Sequence, residues 1–136
     1  MMNEFLKTVA TLRSPEGCPW DRKQTHRSLI PFLNEESAEV VEAIVQDNSD
    51  ALKDELGDLL LQIVLHSQIA QEEGRFSFND VVKSVNDKML RRHPHVFEGV
   101  VYVDEAEQKA AWHAIKLEEK KAKGEAQSYL DGVKAS

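Results

Sequence analysis

A run of apolar residues from Leu56 to Leu65 constrains the fold of this chain more than any other feature. The run is interrupted only by Gly57, Asp58 and Gln62. It lies within a segment of helical length, from about Ala51 to Glu73, whose apolar side chains cover nearly the whole circumference of the helix. Because a helix that is apolar all round is buried, we expect it to pack against neighbouring helices or a second subunit.

One narrow stripe of this predicted helix is polar, and it consists of Glu55, Asp58, Gln62 and His66. Glu55 and Asp58 are three residues apart and therefore lie on the same side of the helix. Carboxylates in an otherwise apolar segment carry a large desolvation cost unless positive charge meets them. We expect the stripe to face a partner group or a water-filled site. His66 is more often a core histidine than a ligand, and the sequence assigns it no role.

A second acidic motif, Glu35 to Glu39, lies on the preceding predicted helix, which runs from about Thr25 to Gln46 with Pro31 in an early turn or at a kink. At about 100° per residue, Glu36 and Glu39 fall at one edge of the apolar arc of this helix, whereas Glu35 lies further toward solvent. Glu36 and Glu39 are therefore the pair best placed to face a cavity.

The two motifs together favour a hard divalent cation. From residue 35 to residue 58 there are nine acidic residues and one basic residue, Lys53, so the repulsion among them must be offset. Two facing helices that each offer two carboxylates suit Mg²⁺ or Mn²⁺. Zinc fits less well, because the chain has a single cysteine and its histidines lack the usual zinc spacing.

A compact basic cluster from Lys88 to His95 ends another predicted helix, which runs from about Phe78 to Arg92. Two interpretations are open. The cluster pairs with the acidic segment, or it neutralises the phosphates of a ligand that the metal also holds. A metal centre together with a separate basic cluster is what a polyphosphate substrate needs.

The remaining segments complete an all-α bundle. A first helix is predicted from about Asn3 to Arg13, and a last one begins near Asp104 and runs into a lysine-rich stretch. Between the first two helices, two prolines and a glycine make the segment 14–21 a loop, in which Trp20 is a core plug or, alternatively, a wall for a ligand. A short strand over 100–103 is the only β candidate. We expect one domain over residues 1–124 and a loosely ordered tail over 125–136.

Charge and composition limit the partners. The formal net charge of −7 argues against general binding to nucleic acid. No stretch of about 18 apolar residues exists, so we expect no membrane-spanning segment. The N-terminal residues show no signal-peptide pattern, and the single Cys18 fits a reducing compartment. Together these features predict a cytoplasmic protein.

With these motifs the sequence resembles the MazG family of nucleoside triphosphate pyrophosphohydrolases, and the resemblance covers about Phe5 to Gly124. The family carries a Glu-Glu-x-x-Glu motif followed by Glu-x-x-Asp, which correspond here to residues 35–39 and 55–58. The flanking segments are more specific than either short motif. They are Gly17-Cys18-Pro19-Trp20-Asp21, Glu72-Glu73-Gly74-Arg75-Phe76, Asp87-Lys88, Arg91-Arg92-His93-Pro94-His95-Val96-Phe97, and Trp112 followed by Lys116.

The resemblance implies an all-α NTP pyrophosphatase fold whose site is completed in a homodimer, or in a dimer of dimers. It implies Mg²⁺-dependent hydrolysis of an NTP or dNTP between the α- and β-phosphates, with Mn²⁺ as a substitute, and a role in clearing unwanted nucleotides. The implied metal ligands are Glu36, Glu39, Glu55 and Asp58, and Glu35 joins this catalytic set as a neighbour of the ligands or by orienting water. The implied substrate-binding residues are Lys88, Arg91, Arg92, Trp112 and Lys116; Lys88 and Arg92 hold phosphates, and Trp112 and Lys116 help to close the site.

Two other functions remain open at this point. One is a non-catalytic dimerisation or regulatory module that keeps the helical scaffold. The other is a hydrolase for a different phosphorylated metabolite, such as a phosphoribosyl nucleotide. The acidic motifs argue against the first, because a scaffold has no reason to place Glu55 and Asp58 in an apolar run. Base and sugar preference cannot be predicted from these residues.

Overall fold

The structure is a computed structural model that describes the backbone of residues 1–135 and the side chains of residues 1–124. Within that part the chain is helical and contains no strand, which confirms the all-α fold class. The helices are α1 Met2–Leu12, α2 Pro19–Arg22, α3 Ile30–Val45, α4 Ser49–Glu72, α5 Phe78–Arg92, α6 Pro94–Phe97 and α7 Glu105–Ala135. None of the described helices combines the length and the apolar composition that crossing a bilayer requires.

The chain divides into two compact units, Met1–Val81 and Val82–Ser136. The first unit contains α1 to α4, and the second contains α6, α7 and most of α5. The sequence-based prediction of one domain over residues 1–124 stays a prediction. So does the loosely ordered tail over 125–136, whose side chains lie outside the described residues.

The core of the first unit forms where α1 and the C-terminal half of α4 meet. Its buried members are Val9, Leu29, Val64, Leu65 and Ile69, and half-buried side chains such as Phe5 and Leu61 pack against them. α4 also packs along α3. The apolar run of α4 thus supplies the centre of this unit, as its sequence predicts.

The apolar residues of α4 pack against other described residues except along one side, where the predicted cover by a second subunit stays a prediction. Leu56, Leu60 and Ile63 are all exposed, at 48%, 36% and 41%. They recur at i, i+4 and i+7 and therefore form one stripe. α1 and α3 both pack against α4, but among the described residues neither helix covers this stripe.

The start of α3 differs from the sequence-based expectation. The helix begins at Ile30 rather than near Thr25, and Pro31 lies in its first turn. A proline lacks an amide hydrogen and clashes with the preceding turn, so it is tolerated where a helix starts. Thr25 has capping chemistry as expected, but it caps a separate turn, in which its Oγ1 accepts a hydrogen bond from the amide of Ser28.

The connecting segments contain two one-turn helices that the sequence patterns did not predict. α2 falls partly within the predicted loop 14–21, and α6 begins within the last two residues of the basic cluster. Each has a proline at its first position, where φ is already helical. Residues 100–103 form no strand, and Val101 and Val103 are 85% and 89% exposed.

Candidate metal centre

A tight turn between α3 and α4 folds these helices into an antiparallel hairpin. The side chain of Asn48 caps α4 by accepting a hydrogen bond from the amide of Ala51 at 3.1 Å. Asp47 adopts a left-handed conformation with φ of 51°, which aspartate tolerates better than most residues. The backbone N–H of Asn48 donates a hydrogen bond to the carbonyl oxygen of Ala43. Asp47 and Asn48 thus form the turn, and Ser49 and Asp50 already belong to α4.

The hairpin brings four carboxylates together, two from each helix. One oxygen each of Glu36, Glu39, Glu55 and Asp58 lies within 4.8 Å of the others. Glu36, Glu39 and Glu55 are half-buried, whereas Asp58 is exposed. Glu36 and Glu39 are the pair that the helical wheel placed toward a cavity, and Glu55 and Asp58 belong to the polar stripe of α4.

Mutual repulsion and burial perturb two of these groups. The pKa of Glu55 is raised to about 7, because its carboxyl lies near enough to Glu39 to share a proton, is partly desolvated and lies beside further negative charge. Burial, followed by the charges of Glu39 and Asp58, also raises the pKa of Glu36. A cluster that resists ionisation in this way would ionise readily if a cation lay among its oxygens.

The oxygens left without partners are consistent with such a cation. Oε2 of Glu36 and Oε2 of Glu55 are buried, and neither has a hydrogen-bond partner among the described residues. A buried carboxylate oxygen without a partner is costly, and a metal ligand bond would remove that cost. The donor set is all oxygen and carries up to four negative charges, which suits a hard divalent cation such as Mg²⁺.

The other acidic and polar residues of the two motifs have different surroundings. Glu35 is exposed and lies outside the four-carboxylate cluster, as the wheel predicts. Gln62 is buried, and its Oε1 has no partner among the described residues. His66 lies with its Nδ1 2.8 Å from Nδ1 of His26, and the two rings are parallel. His66 therefore has a histidine partner and belongs to the packing of the first unit.

The basic residues lie in the second unit, where Glu119 holds two of them. Arg91 and Arg92 both contact this carboxylate, with closest distances of 2.8 Å. The hydrogen bond from Arg92 and the charges of both arginines lower the pKa of Glu119 to about 2. Sequence reasoning missed Glu119, because nothing in its neighbourhood distinguishes it from the adjacent Glu118. Lys88 is half-buried beside a groove that Arg91 and Glu119 also line.

Trp112 and Lys116, one turn apart on α7, form a contact within the same unit. Nζ of Lys116 lies 3.7 Å from the centre of the Trp112 ring, a cation–π distance, and Cζ of Arg92 lies 6.0 Å from it. Trp112 and Arg92 also line a cleft of about 370 Å³ with Tyr102 and Lys109. The structure thus places the predicted residues Arg92, Trp112 and Lys116 close together.

The family to which the chain belongs follows from comparison with known proteins. The MazG nucleotide pyrophosphohydrolase domain matches residues 24–97, more than half of the chain. The chain belongs to the MazG family. The matched segment contains all four clustered carboxylates as well as Lys88, Arg91 and Arg92.

Relatives of this MazG chain include longer bacterial proteins. A protein from Thermotoga maritima named nucleoside triphosphate pyrophosphohydrolase/pyrophosphatase MazG is 50% identical over 88% of this chain and 46% of its own length. The nucleoside triphosphate pyrophosphohydrolase of Escherichia coli K12 is 45% identical over 99% of this chain and 51% of its own. The chain thus spans about half the length of these two curated relatives.

A solved structure shares the MazG fold. The crystal structure of a mazG-related protein from Thermotoga maritima matches with a TM-score of 0.67 and 27% identity. The match covers 83% of this chain and 97% of that one. The helical architecture described above is therefore that of MazG proteins.

Proposed function

We propose that this chain hydrolyses nucleoside triphosphates or deoxynucleoside triphosphates between the α- and β-phosphates, releasing a nucleoside monophosphate and pyrophosphate. Removal of unwanted nucleotides would be its role. The observation that carries the proposal is the convergence of four carboxylates on the α3–α4 hairpin of a MazG domain. The names of the two relatives above, both nucleoside triphosphate pyrophosphohydrolases, support the same activity.

Mg²⁺, with Mn²⁺ as a substitute, is the proposed cofactor, and Glu36, Glu39, Glu55 and Asp58 are its proposed ligands. A bound Mg²⁺ supplies positive charge for the phosphate oxygens and makes water more acidic. The two helices hold the ligand oxygens close together before the ion arrives, so little reorganisation is needed on binding. Glu35, next to Glu36 but exposed, is proposed to orient the attacking water.

The basic residues of the second unit are proposed to bind the phosphates of the substrate. Arg91 and Arg92 present forked donors, and Lys88 presents a point charge, so the three match phosphate oxygens well. Glu119 holds both arginines in fixed positions. Trp112 and Lys116 are proposed to help close the site around the nucleotide, consistent with their contact on α7.

A homodimer is the proposed assembly, and the hairpin supplies its surface. Besides the exposed stripe of α4, the residues Val41, Ile44 and Val45 of α3 are 58%, 58% and 78% exposed. Contiguous exposed apolar side chains on neighbouring helices mark interaction surfaces more often than scattered single ones do. A second copy of the hairpin would cover both stripes in a four-helix arrangement. In a dimer of dimers, exposed apolar side chains would be buried in the same way between two dimers.

Product analysis tests the proposed reaction. The protein is incubated with each NTP and dNTP in Mg²⁺, and the products are separated by ion-exchange chromatography. We expect monophosphate and pyrophosphate in equal amounts, and no turnover when a chelator removes the metal. Release of orthophosphate would place cleavage at another bond, and the absence of product from every nucleotide would contradict the hydrolase proposal.

A further inference from the structure

Two aromatic rings are exposed on the first unit although neither belongs to its core. Trp20 on α2 is 45% exposed and Phe32 on α3 is 38% exposed. Their ring centres are 5.6 Å apart and the rings are perpendicular. Trp20 was expected to be a core plug or a ligand wall, and its exposure contradicts the first alternative. An exposed tryptophan paired edge-on with an exposed phenylalanine offers an open aromatic face.

This aromatic pair lies beside the carboxylate cluster. Phe32 precedes Glu36 by four residues, so both side chains lie on one side of α3. On the antiparallel partner α4, Gln62 follows Asp58 by four residues. Because the helices are antiparallel, moving from Glu36 to Phe32 on α3 and from Asp58 to Gln62 on α4 leads in the same direction. Each displacement along the helix axis is roughly 6 Å. Phe32 and Gln62 therefore flank the position one helical turn from the metal ligands.

Gln62 supplies a polar group at that position. It is only 7% exposed, and its side-chain oxygen Oε1 is buried without a hydrogen-bond partner among the described residues. A buried acceptor without a donor costs free energy, and a hydrogen bond donated by a ligand would remove that cost. The cluster, the amide and the aromatic pair thus follow one another along the hairpin.

A buried arginine holds the segment that carries Trp20. Arg13 is 9% exposed, and its guanidinium donates to the carbonyl oxygens of Asp21 at 2.7 Å and Gln24 at 3.1 Å. The same guanidinium binds both carboxylate oxygens of Glu72 on α4, at 2.9 and 3.1 Å. The Gln24 side chain in turn donates to the carbonyl of Trp20 at 2.9 Å. These hydrogen bonds therefore fix the backbone segment that carries the exposed Trp20 side chain.

The loop before Trp20 is equally constrained. A Cβ atom on Gly17 would lie 2.1 Å from the carbonyl oxygen of Thr11, so only glycine fits this close approach. The amide of Cys18 donates to the carbonyl of Leu12 at 2.8 Å. This close packing fixes the backbone that leads into Trp20, although the Trp20 side chain itself is exposed.

We propose that Trp20, Phe32 and Gln62 form the subsite for the nucleoside part of the substrate. The base stacks against the exposed face of Trp20, Phe32 limits its movement, and Oε1 of Gln62 accepts a hydrogen bond from a base N–H or a sugar hydroxyl. The proposal rests on the proposed function, because the carboxylate cluster is taken as the place where the phosphates are held. Stacking suits any base, since each has a flat π surface.

Binding measurements with two ligands test this subsite. The first is α,β-methylene ATP, whose scissile position is blocked, and the second is inorganic triphosphate, which has no nucleoside; both are titrated calorimetrically with Mg²⁺. We expect Trp20→Ala to weaken α,β-methylene ATP about 5- to 150-fold, the range for one base stacked on an aromatic ring. The affinity for triphosphate should change less than about twofold, and Trp20→Phe should retain most of the nucleotide affinity.

Gln62 and a control residue complete the set. Gln62→Met keeps the length of the side chain and removes its amide, and should weaken α,β-methylene ATP roughly 2- to 12-fold, the range for one hydrogen bond. Phe76 is another exposed aromatic residue of the first unit, at 43%, and Phe76→Ala should leave both affinities unchanged. Circular dichroism and thermal unfolding check that each variant is folded.

Tryptophan fluorescence gives an independent readout. The chain has two tryptophans, Trp20 and Trp112. A base stacked on Trp20 should quench the wild-type emission when α,β-methylene ATP is added, and Trp20→Phe should remove that part of the quenching. Inorganic triphosphate should leave the Trp20 emission unchanged, because it has no ring to stack.

The outcomes separate the subsite from the hydrolase proposal. Trp20-dependent binding of α,β-methylene ATP without cleavage of any NTP would support the subsite and overturn the proposed reaction. In another outcome, the protein cleaves NTPs while Trp20→Ala lowers the affinity for both ligands equally, or for neither. That result would overturn the subsite and leave the proposed reaction intact. Failure of the wild-type protein to bind α,β-methylene ATP would also overturn the subsite.

Discussion

At the scale of single residues, the carboxylates of the two motifs have different environments although their sequences look alike. Glu36 and Glu39 turn toward α4, whereas Glu35 and Glu42 are exposed on the same helix. Helical geometry alone predicts this division, because 100° per residue fixes which side chains share a side. It does not predict the pairing of Arg91 and Arg92 with Glu119, which is 27 or more residues away along the chain.

Asp58 is the residue whose replacement should separate metal binding from folding. We expect Asp58→Asn to lower Mg²⁺-dependent turnover at least about 100-fold, because it removes one charged ligand from a cluster of four. The metal-free stability should not fall, since the substitution also removes repulsion with Glu36. Steady-state pyrophosphate release and thermal unfolding with and without Mg²⁺ measure both effects.

Glu42→Gln is the matched control for this prediction. Glu42 is an exposed acid of α3 that lies outside the carboxylate cluster and accepts a hydrogen bond from the Gln46 side chain. Its turnover and its Mg²⁺-induced rise in melting temperature should equal those of the wild-type protein. Full activity of Asp58→Asn would remove Asp58 from the proposed ligand set.

At the scale of elements, the packing of α4 against the segment before α3 depends on a histidine pair. Nδ1 of His26 and Nδ1 of His66 are 2.8 Å apart, which requires a proton on one of them and a lone pair on the other. Glu73 lies 3.9 Å from Nε2 of His26. Nε2 of His66 is buried without a partner among the described residues. This contact links the segment that leads into α3 with α4, the two helices that carry the carboxylates.

The contribution of His66 to stability should therefore decrease in mild acid, whereas the raised pKa of Glu55 acts in the opposite direction. Burial, and next the nearby His26, lower the pKa of His66 in the folded chain. In the unfolded chain its pKa is about 6.5, so below that pH the unfolded state binds a proton that the folded state resists. The stability that neutral His66 contributes is then lost as pH falls from about 6.5 toward its lowered pKa in the folded state.

Thermal unfolding of His66→Gln across pH 7.5 to 5 checks this prediction. On going from pH 7.5 to 5, the melting temperature of the variant should shift upward relative to that of the wild-type protein, because the variant lacks the His66 penalty. His113→Gln, a change at an exposed histidine of α7, should keep the wild-type slope. A slope in His66→Gln as steep as in the wild type would mean that other groups cause the acid sensitivity.

At the scale of the whole molecule, the exposed apolar stripes of α3 and α4 are not covered by the described residues of the chain. If two copies bury them together, Leu60→Lys should convert a dimer into a monomer by placing an ammonium group in an apolar contact. Sedimentation velocity at micromolar concentrations measures the assembly state. Because the family resemblance implies a site that is completed in the dimer, turnover should decrease when the dimer is lost.

Val101→Lys provides the control for the dimer prediction. Val101 is a single exposed valine of the second unit, at 85%, outside both stripes. The variant should sediment like the wild-type protein. A wild-type protein that sediments as a monomer at 100-fold higher concentration would contradict the proposed homodimer.

The limits of prediction from sequence differ between long and short elements. The bounds of α1, α4, α5 and the start of α7 were predicted to within one or two residues, because each has a clear apolar period or a capping residue. α2 and α6 were missed because one turn is too short to show a period. Thr25 was mistaken for the cap of α3, because a single-turn cap and a helix cap use the same side-chain chemistry.

The sequence by itself determined the all-α class, the hairpin of α3 and α4, and the four carboxylates that meet there, since helical period and short turns are local properties of the chain. Only the tertiary structure decided that Leu56, Leu60 and Ile63 remain uncovered, that Glu119 holds two arginines, and that Trp20 is exposed beside Phe32. Those facts depend on which surfaces meet, and residues far apart in sequence decide that together.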